Sequence, residues 1–135
     1  MKQLVKERAN FCCEYCQALE LFATEDFTIE HIFPIAKGGL DDIDNLALAC
    51  SGCNSHKSTK TEAFDPETQT IVLLFHPRQH NWKDHFTWSD DSITIIGQTD
   101  IGRATVLALK MNRQGLRNLR YALTLAEEHP PEHTL

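Results

Sequence analysis

The sequence predicts an α+β fold in a single domain, with a metal-bearing half and a half built from a hairpin and helices. Three observations predict it: two Cys-x-x-Cys pairs in residues 11–60, several short strand-like runs, and leucines at helical spacing near the C-terminus. The chain has 135 residues, which suits one domain with a modest core. A structural metal would therefore help to stabilise it.

The first half is expected to hold two short strands between two short helices. The expected elements are a helix over Lys2–Asn10, a turn over Phe11–Gln17, strands over Phe27–Phe33 and Leu46–Ala49, and a helix over Asn54–Thr61. Thr28 and Ile29 favour the first strand, and Pro34 limits it because proline cannot donate to a strand ladder. Gly38 and Gly39 then indicate a turn.

The second half is expected to hold a strand, a β-hairpin and two helices. The expected elements are a turn over Asp65–Thr68, strands over Thr70–Phe75, Phe86–Trp88 and Ser92–Ile96, and helices from Thr99 or Asp100 to about Lys110 and from about Arg113 to Glu128. Pro130 and Pro131 end the last helix, and we expect the residues after them to be loose.

Charge and hydropathy narrow the class of protein. The net charge of −6 argues mildly against a protein that coats nucleic acid through bulk charge, although local charge matters more for an enzyme. No apolar run is long enough to span a bilayer, and the first residues lack the apolar core of a signal peptide. We therefore expect a cytoplasmic protein without a membrane partner, in which spaced cysteine pairs indicate a metal or redox site rather than disulfides.

Four of the five cysteines form the pairs Cys13/Cys16 and Cys50/Cys53. Two such turns can direct four thiolates at one zinc ion, and a closed four-thiolate site is structural because it has no open coordination position. A thioredoxin-like redox pair is the alternative, but it needs a βαβ context that the sequence lacks. Cys12 could replace Cys13 as a ligand, although a small buried side chain is the favoured interpretation.

The residues around these pairs resemble the HNH endonucleases. The resemblance covers roughly residues 11–60 and lies in C-E-Y-C, E-H-I-F-P, G-G, N-L and C-S-G-C-N-S-H-K. It implies a ββα-metal finger with a structural zinc, followed by an accessory hairpin and helices over about residues 66–128. The segments LFHPRQHNWKDHFTW and GRATVLALKMN resemble the tail of a bacterial subgroup of these proteins.

The resemblance also implies roles for individual residues. His31 matches the general base that activates water, and Asn45 matches the amide that ties a loop and helps to orient it. Glu30 and Asn54 match ligands of a catalytic divalent metal, which is magnesium, manganese or possibly another divalent ion. Adjacent residues of a strand point to opposite faces, so Glu30 and His31 can share one site only if the strand bends or the metal lies at its edge.

Basic residues are candidates for binding the nucleic-acid backbone. Lys57 and Lys60 fall on the helix that carries Asn54. Lys110, Arg113, Arg117 and Arg120 follow 3, 4, 3 spacing, in a stretch from Ile101 to Ala126 that contains no Asp or Glu. The alternative for these charges is a solvated helix face.

Two functions are compatible with this pattern. The first is a metal-dependent HNH endonuclease that hydrolyses phosphodiester bonds in DNA, with RNA as an open alternative. The second is a non-catalytic four-cysteine zinc-finger-like module that binds nucleic acid or protein. Both include the structural zinc, and they differ in whether Glu30, His31 and Asn54 act together. Taken singly, Asn54 could cap its helix and Asn45 could be a turn residue.

Overall fold

Three separate two-stranded antiparallel sheets and five helices form the α+β fold, in a computed structural model that describes residues 1–135. The elements are α1 Lys2–Arg8, β1 Thr28–His31, β2 Leu46–Ala49, α2 Ser51–Lys57, β3 Glu62–Asp65, β4 Thr70–Leu73, α3 Trp82–His85, β5 Phe86–Trp88, β6 Ile95–Gly97, α4 Asp100–Ala108 and α5 Gln114–Leu125. No helix among them combines the length and apolar character needed to cross a membrane.

The hairpin β1–β2 and helix α2 form a ββα unit in the first half. Glu30 pairs with Ala47 and His31 with Leu46 across the hairpin. All four residues of β2 are buried, because α1 packs against this strand and contributes the buried Val5. The two strands confirm the sequence prediction, but α2 begins three residues earlier than expected, since Cys50 caps it and accepts from the Cys53 amide.

The hairpin β3–β4 packs against α4 in the second half. The strand β3 was not predicted, because its residues Glu-Ala-Phe-Asp show no clear alternation. Asp65 holds the predicted turn: its carboxylate accepts from the amides of Glu67 and Thr68 and forms two bonds with the Arg103 guanidinium of α4. Thr99 caps α4 by accepting from the Gly102 amide, as the sequence predicts.

The C-terminal tail folds back onto the body of the protein. The indole of Trp88 donates to the Thr134 hydroxyl at 2.9 Å, and His133 Nε2 lies 2.8 Å from the side-chain oxygen of Gln17. Thr134 is buried. The expectation of a loose tail is therefore wrong: the chain turns at Pro130 and Pro131 and reaches both β5 and the first cysteine turn.

Candidate zinc centre and catalytic site

The four paired cysteines form one buried cluster. The Sγ atoms of Cys13, Cys16, Cys50 and Cys53 all lie within 4.8 Å of one another. The Cys16 and Cys50 sulfurs are 3.7 Å apart, close to the separation of about 3.8 Å that a tetrahedral site with Zn–S bonds of about 2.3 Å requires. This donor set therefore fits zinc, and it leaves no position open for chemistry.

Cys12 lies outside the cluster although it is equally buried. Its thiol donates to the carbonyl of Asn10 at 3.4 Å, and burial raises its pKa to about 11. The choice of Cys13 over Cys12 as the partner of Cys16 follows from this arrangement.

Arg113 contacts the cysteine cluster rather than solvent. Its Nη2 lies 3.3 Å from the Cys50 sulfur and its Nη1 lies 3.7 Å from the Cys53 sulfur. A β-carbon added at Gly52 would meet Nη2 at 2.3 Å, so only glycine leaves room for the guanidinium there. Arg113 thus offsets the negative charge of the thiolates and ties the start of α5 to the cluster. Arg113 was predicted to contact nucleic acid, and in the structure its donors face the sulfurs.

His31 ends β1 and is partly open to solvent. Its Nε2 lies 2.9 Å from Oδ1 of Asp41, and its side chain is 33% exposed. An ionised carboxylate can only accept a hydrogen bond, so Nε2 donates and Nδ1 keeps its lone pair. The imidazole is therefore held by one nitrogen and can accept a proton at the other.

The loop that carries Asp41 is closed onto the end of β1 by Asn45. The Asn45 side-chain oxygen accepts from the Phe33 amide at 2.8 Å, and its Nδ2 donates to the carbonyls of Phe33 and Leu40 at 2.9 and 2.8 Å. Gly39 passes so close that an added β-carbon would meet the Phe33 carbonyl oxygen at 1.9 Å. Asn45 therefore lies where it can tie the loop, and the tight loop brings Asp41 to His31.

The carboxylate of Glu30 faces the interior and forms an ion pair with Lys57. Its Oε2 lies 3.0 Å from Lys57 Nζ, and its Oε1 accepts from the Tyr15 hydroxyl. Glu30 and Lys57 are 6% and 1% exposed, and Lys57 also donates to the Ile32 carbonyl at 2.9 Å. Burial raises the pKa of Glu30, and the Lys57 ammonium partly offsets this rise. The ammonium of Lys57, which was predicted to contact phosphate, is buried in this pair.

The residues predicted to bind the catalytic metal make other contacts in the structure. Glu30 and His31 contact different partners on opposite faces of β1, as strand alternation requires. Both oxygens of Glu30 are bonded, one to the Tyr15 hydroxyl and the other to the Lys57 ammonium. Asn54 lies half-buried on α2, and its side-chain amide makes no hydrogen bond. No hydrogen bond joins any two of the side chains of Glu30, His31 and Asn54.

Part of the chain matches a known protein family. Residues 13–60 match the family model of the HNH endonucleases. The chain contains an HNH domain. The match runs from the first zinc-pair cysteine to Lys60 and includes His31, Asn45 and Asn54. It confirms the resemblance seen in the sequence. No curated protein and no solved structure matches the chain.

Outside the HNH domain, the predicted basic face on α5 is largely occupied by internal contacts. Arg120 is 3% exposed, donates to the carbonyls of Ile93 and Met111, and lies 5.2 Å from the ring centre of Trp88. Arg120 was predicted to bind nucleic acid, and in the structure its guanidinium is buried. Arg117 is half-buried and donates to the Thr94 hydroxyl. Lys60 of the HNH domain is exposed and accessible.

A groove beside the HNH domain was missed by sequence reasoning. It has a volume of about 1030 Å³ and lies between the Gly38–Asn45 loop and residues 73–80. These two walls are separated along the chain by residues 46–72, so no local pattern indicates the groove. The only signal was the unusual density of aromatic and basic residues in HPRQH, residues 76–80.

Proposed function

We propose that this chain is a metal-dependent endonuclease that hydrolyses phosphodiester bonds in DNA, with His31 as general base. The observation that carries the proposal is the 2.9 Å contact of His31 Nε2 with Asp41 inside an HNH domain. It leaves Nδ1 of a partly exposed imidazole able to take a proton from a water molecule. A water activated in this way is the nucleophile that a phosphodiester needs.

The residues of the loop support this role by restricting the imidazole. Asn45 ties the loop at three hydrogen bonds, and Gly39 allows its close approach to the Phe33 carbonyl. The position of Asp41, and through it the orientation of His31, is therefore set by the packing of the loop rather than by a free side chain. Asn45 is a positioning residue in this proposal.

Magnesium or manganese is the proposed cofactor for the chemistry, in addition to the structural zinc. A carboxylate and an amide, as in Glu30 and Asn54, are ligands that such cations take, and the ion would neutralise charge on the phosphate. Because Lys57 is bonded to Glu30, this ligand assignment requires the pair to separate. DNA is the proposed substrate, with Lys60 and Arg117 as the remaining predicted backbone contacts.

The alternative, a non-catalytic zinc-finger-like module, is favoured by one observation. The buried pair of Glu30 with Lys57 joins β1 to α2 and has the character of a structural contact. A protein that only needs a stable ββα unit would keep such a pair. The two functions therefore differ in whether the chain cleaves nucleic acid at all.

The deciding experiment is a cleavage assay on supercoiled plasmid DNA with the zinc-loaded full chain. Separate reactions contain magnesium, manganese or no added divalent ion, and a parallel reaction contains labelled RNA. We expect nicked or linear DNA only where a divalent ion is present. Binding of DNA without cleavage under every ionic condition would overturn the proposal in favour of the binding module.

A further inference from the structure

The groove between the Gly38–Asn45 loop and residues 73–80 begins directly beside the candidate base. Ile32 and Phe33, which follow His31 in the chain, form part of its lining. Its volume of about 1030 Å³ is at the upper end of the range of pockets that enclose a small ligand. His31 itself does not line the groove, so the groove meets the candidate base only through these two chain neighbours.

Aromatic rings face this groove from both walls. Phe33 is 43% exposed on the loop side, and the imidazoles of His76 and His80 line the opposite side. The rings of His76 and His80 lie 6.4 Å apart at an angle of 87°. The exposed ring of Phe33 is the kind of platform on which unpaired bases stack, and the two half-buried imidazoles form the wall opposite it.

Each of the two imidazoles accepts a backbone hydrogen bond at Nδ1. Nδ1 of His80 accepts from the His76 amide at 3.0 Å, and Nδ1 of His76 accepts from the Arg78 amide at 3.2 Å. The proton of each neutral ring is therefore on Nε2. Burial also lowers the pKa of His76, which keeps that ring uncharged near neutral pH.

The charges that line the groove are balanced. Lys57 and Arg78 are neutralised by Glu30 and Glu14. The charges that remain without an ion-pair partner are the cations Arg8 and Lys60 and the anions Asp42 and Asp44. Duplex DNA binds mainly through its phosphates and needs a surplus of cations. A balanced groove with exposed rings instead favours a ligand that offers bases for stacking.

We propose that this groove binds an unpaired stretch of a nucleic-acid strand and delivers it to His31. Bases stack on Phe33 against the two imidazoles, while Lys60 contacts the phosphates. The inference rests on the proposed function, since it makes the groove the substrate site of the nuclease. It narrows the substrate class to strands that are single or locally opened.

The test is fluorescence anisotropy with the His31→Ala chain, which cannot consume the probe by the proposed mechanism. The probes are a labelled 12-nucleotide DNA strand of mixed sequence and the blunt duplex of the same sequence. We expect the single strand to bind at least about 10-fold more tightly than the duplex. Phe33→Ala should weaken single-strand binding by about 5- to 150-fold, the range for loss of one stacked base. Phe33→Trp should retain binding, which separates lost stacking from misfolding.

Two further variants test the charge pattern in opposite directions. Lys60→Ala should weaken binding of the strand, whereas Asp44→Asn should tighten it. Phe64→Ala is the matched control, because Phe64 is an aromatic residue that is 50% exposed and lies outside the groove. Equal affinity for strand and duplex, or a Phe33→Ala chain that binds like its parent, would overturn the groove proposal.

The outcome for the groove can be separated from the outcome for the nuclease. Strand binding that depends on Phe33 without any cleavage by the parent chain would refute the nuclease and retain the groove as a binding site. The opposite outcome is metal-dependent cleavage of both single-stranded and plasmid DNA that the Phe33→Ala substitution leaves unchanged. That result would retain the nuclease and refute the groove as its substrate site.

Discussion

Lys57 Nζ lies 3.0 Å from Oε2 of Glu30, and the two side chains are almost completely buried between β1 and α2. The pair makes the ββα unit depend on a charge that has no access to water. Removing one member leaves the other buried and unpaired, which costs far more than losing a surface ion pair.

The Lys57→Met variant should therefore lose about 3–5 kcal/mol of unfolding free energy. The double variant Glu30→Gln with Lys57→Met should recover most of that loss, because no unpaired charge remains. Urea unfolding followed by circular dichroism measures the unfolding free energies of the single and the double variant. Lys60→Met is the control on the exposed side of the same region and should change stability by less than about 0.5 kcal/mol. A single Lys57 variant as stable as the parent would show that the pair is not formed in solution.

Zinc should be lost with any of the four clustered cysteines and kept without Cys12. Cys13→Ser or Cys50→Ser should remove zinc and much of the fold, because metal binding in a small site is folding free energy. Cys12→Ser should retain one zinc per chain, since its thiol only donates to the Asn10 carbonyl. Zinc content by elemental analysis and thermal melts check both. A well-folded Cys13→Ser/Cys50→Ser chain without zinc would contradict the structural role.

Gly52→Ala should disturb the contact between Arg113 and the cysteine sulfurs. The new β-carbon would meet the guanidinium at 2.3 Å and displace it, so we expect a loss of about 1.5–3 kcal/mol, the value of hydrogen bonds to a charged group. Introduced into an Arg113→Ala chain, the same substitution should cost much less. Gly115→Ala in α5 is the control, because nothing lies within 4 Å of its added carbon. Additive losses from Gly52 and Arg113 would argue against their contact.

The loss of folding stability at acidic pH should depend on Asp65. The Arg103 guanidinium holds the pKa of this carboxyl below its ordinary value of about 3.9 in an unfolded chain. A group with a lowered pKa in the native state stabilises the protein fully above its unfolded pKa and loses that contribution as the pH falls towards its native pKa. Asp65→Asn should therefore reduce stability at pH 7 and flatten its decline between pH 5 and pH 2. Asp90→Asn, at an exposed hairpin position, should leave the profile unchanged.

Local patterns predicted those parts of the fold that depend on neighbouring residues. The strand Leu46–Ala49, the Thr99 cap and the four-cysteine cluster all follow from residue type and spacing. The strand β3 and the order of the tail could not be predicted in this way. Both depend on contacts with residues far along the chain, such as Asp65 with Arg103 and Thr134 with Trp88.

The surroundings of the charged side chains could not be predicted from the sequence. Spacing shows which residues share a helix face, but it does not show whether that face meets solvent or the core. Arg113 and Arg120 fall at a helical spacing that suggested a basic surface, yet the first contacts sulfurs and the second lies against Trp88. Lys57 shares a motif with Asn54 but reaches inward to Glu30, which was assigned to a metal.

Cleavage of supercoiled plasmid by the His31→Ala variant, compared with the parent chain in the same magnesium and manganese series, tests the central claim most directly. The His31 side chain lies outside the cysteine cluster, so the variant should keep its zinc and its circular dichroism spectrum. Its cleavage rate should fall by about 10²- to 10⁴-fold, the usual effect of removing a general base. A folded, zinc-loaded His31→Ala chain that cleaves at the parent rate would contradict the account.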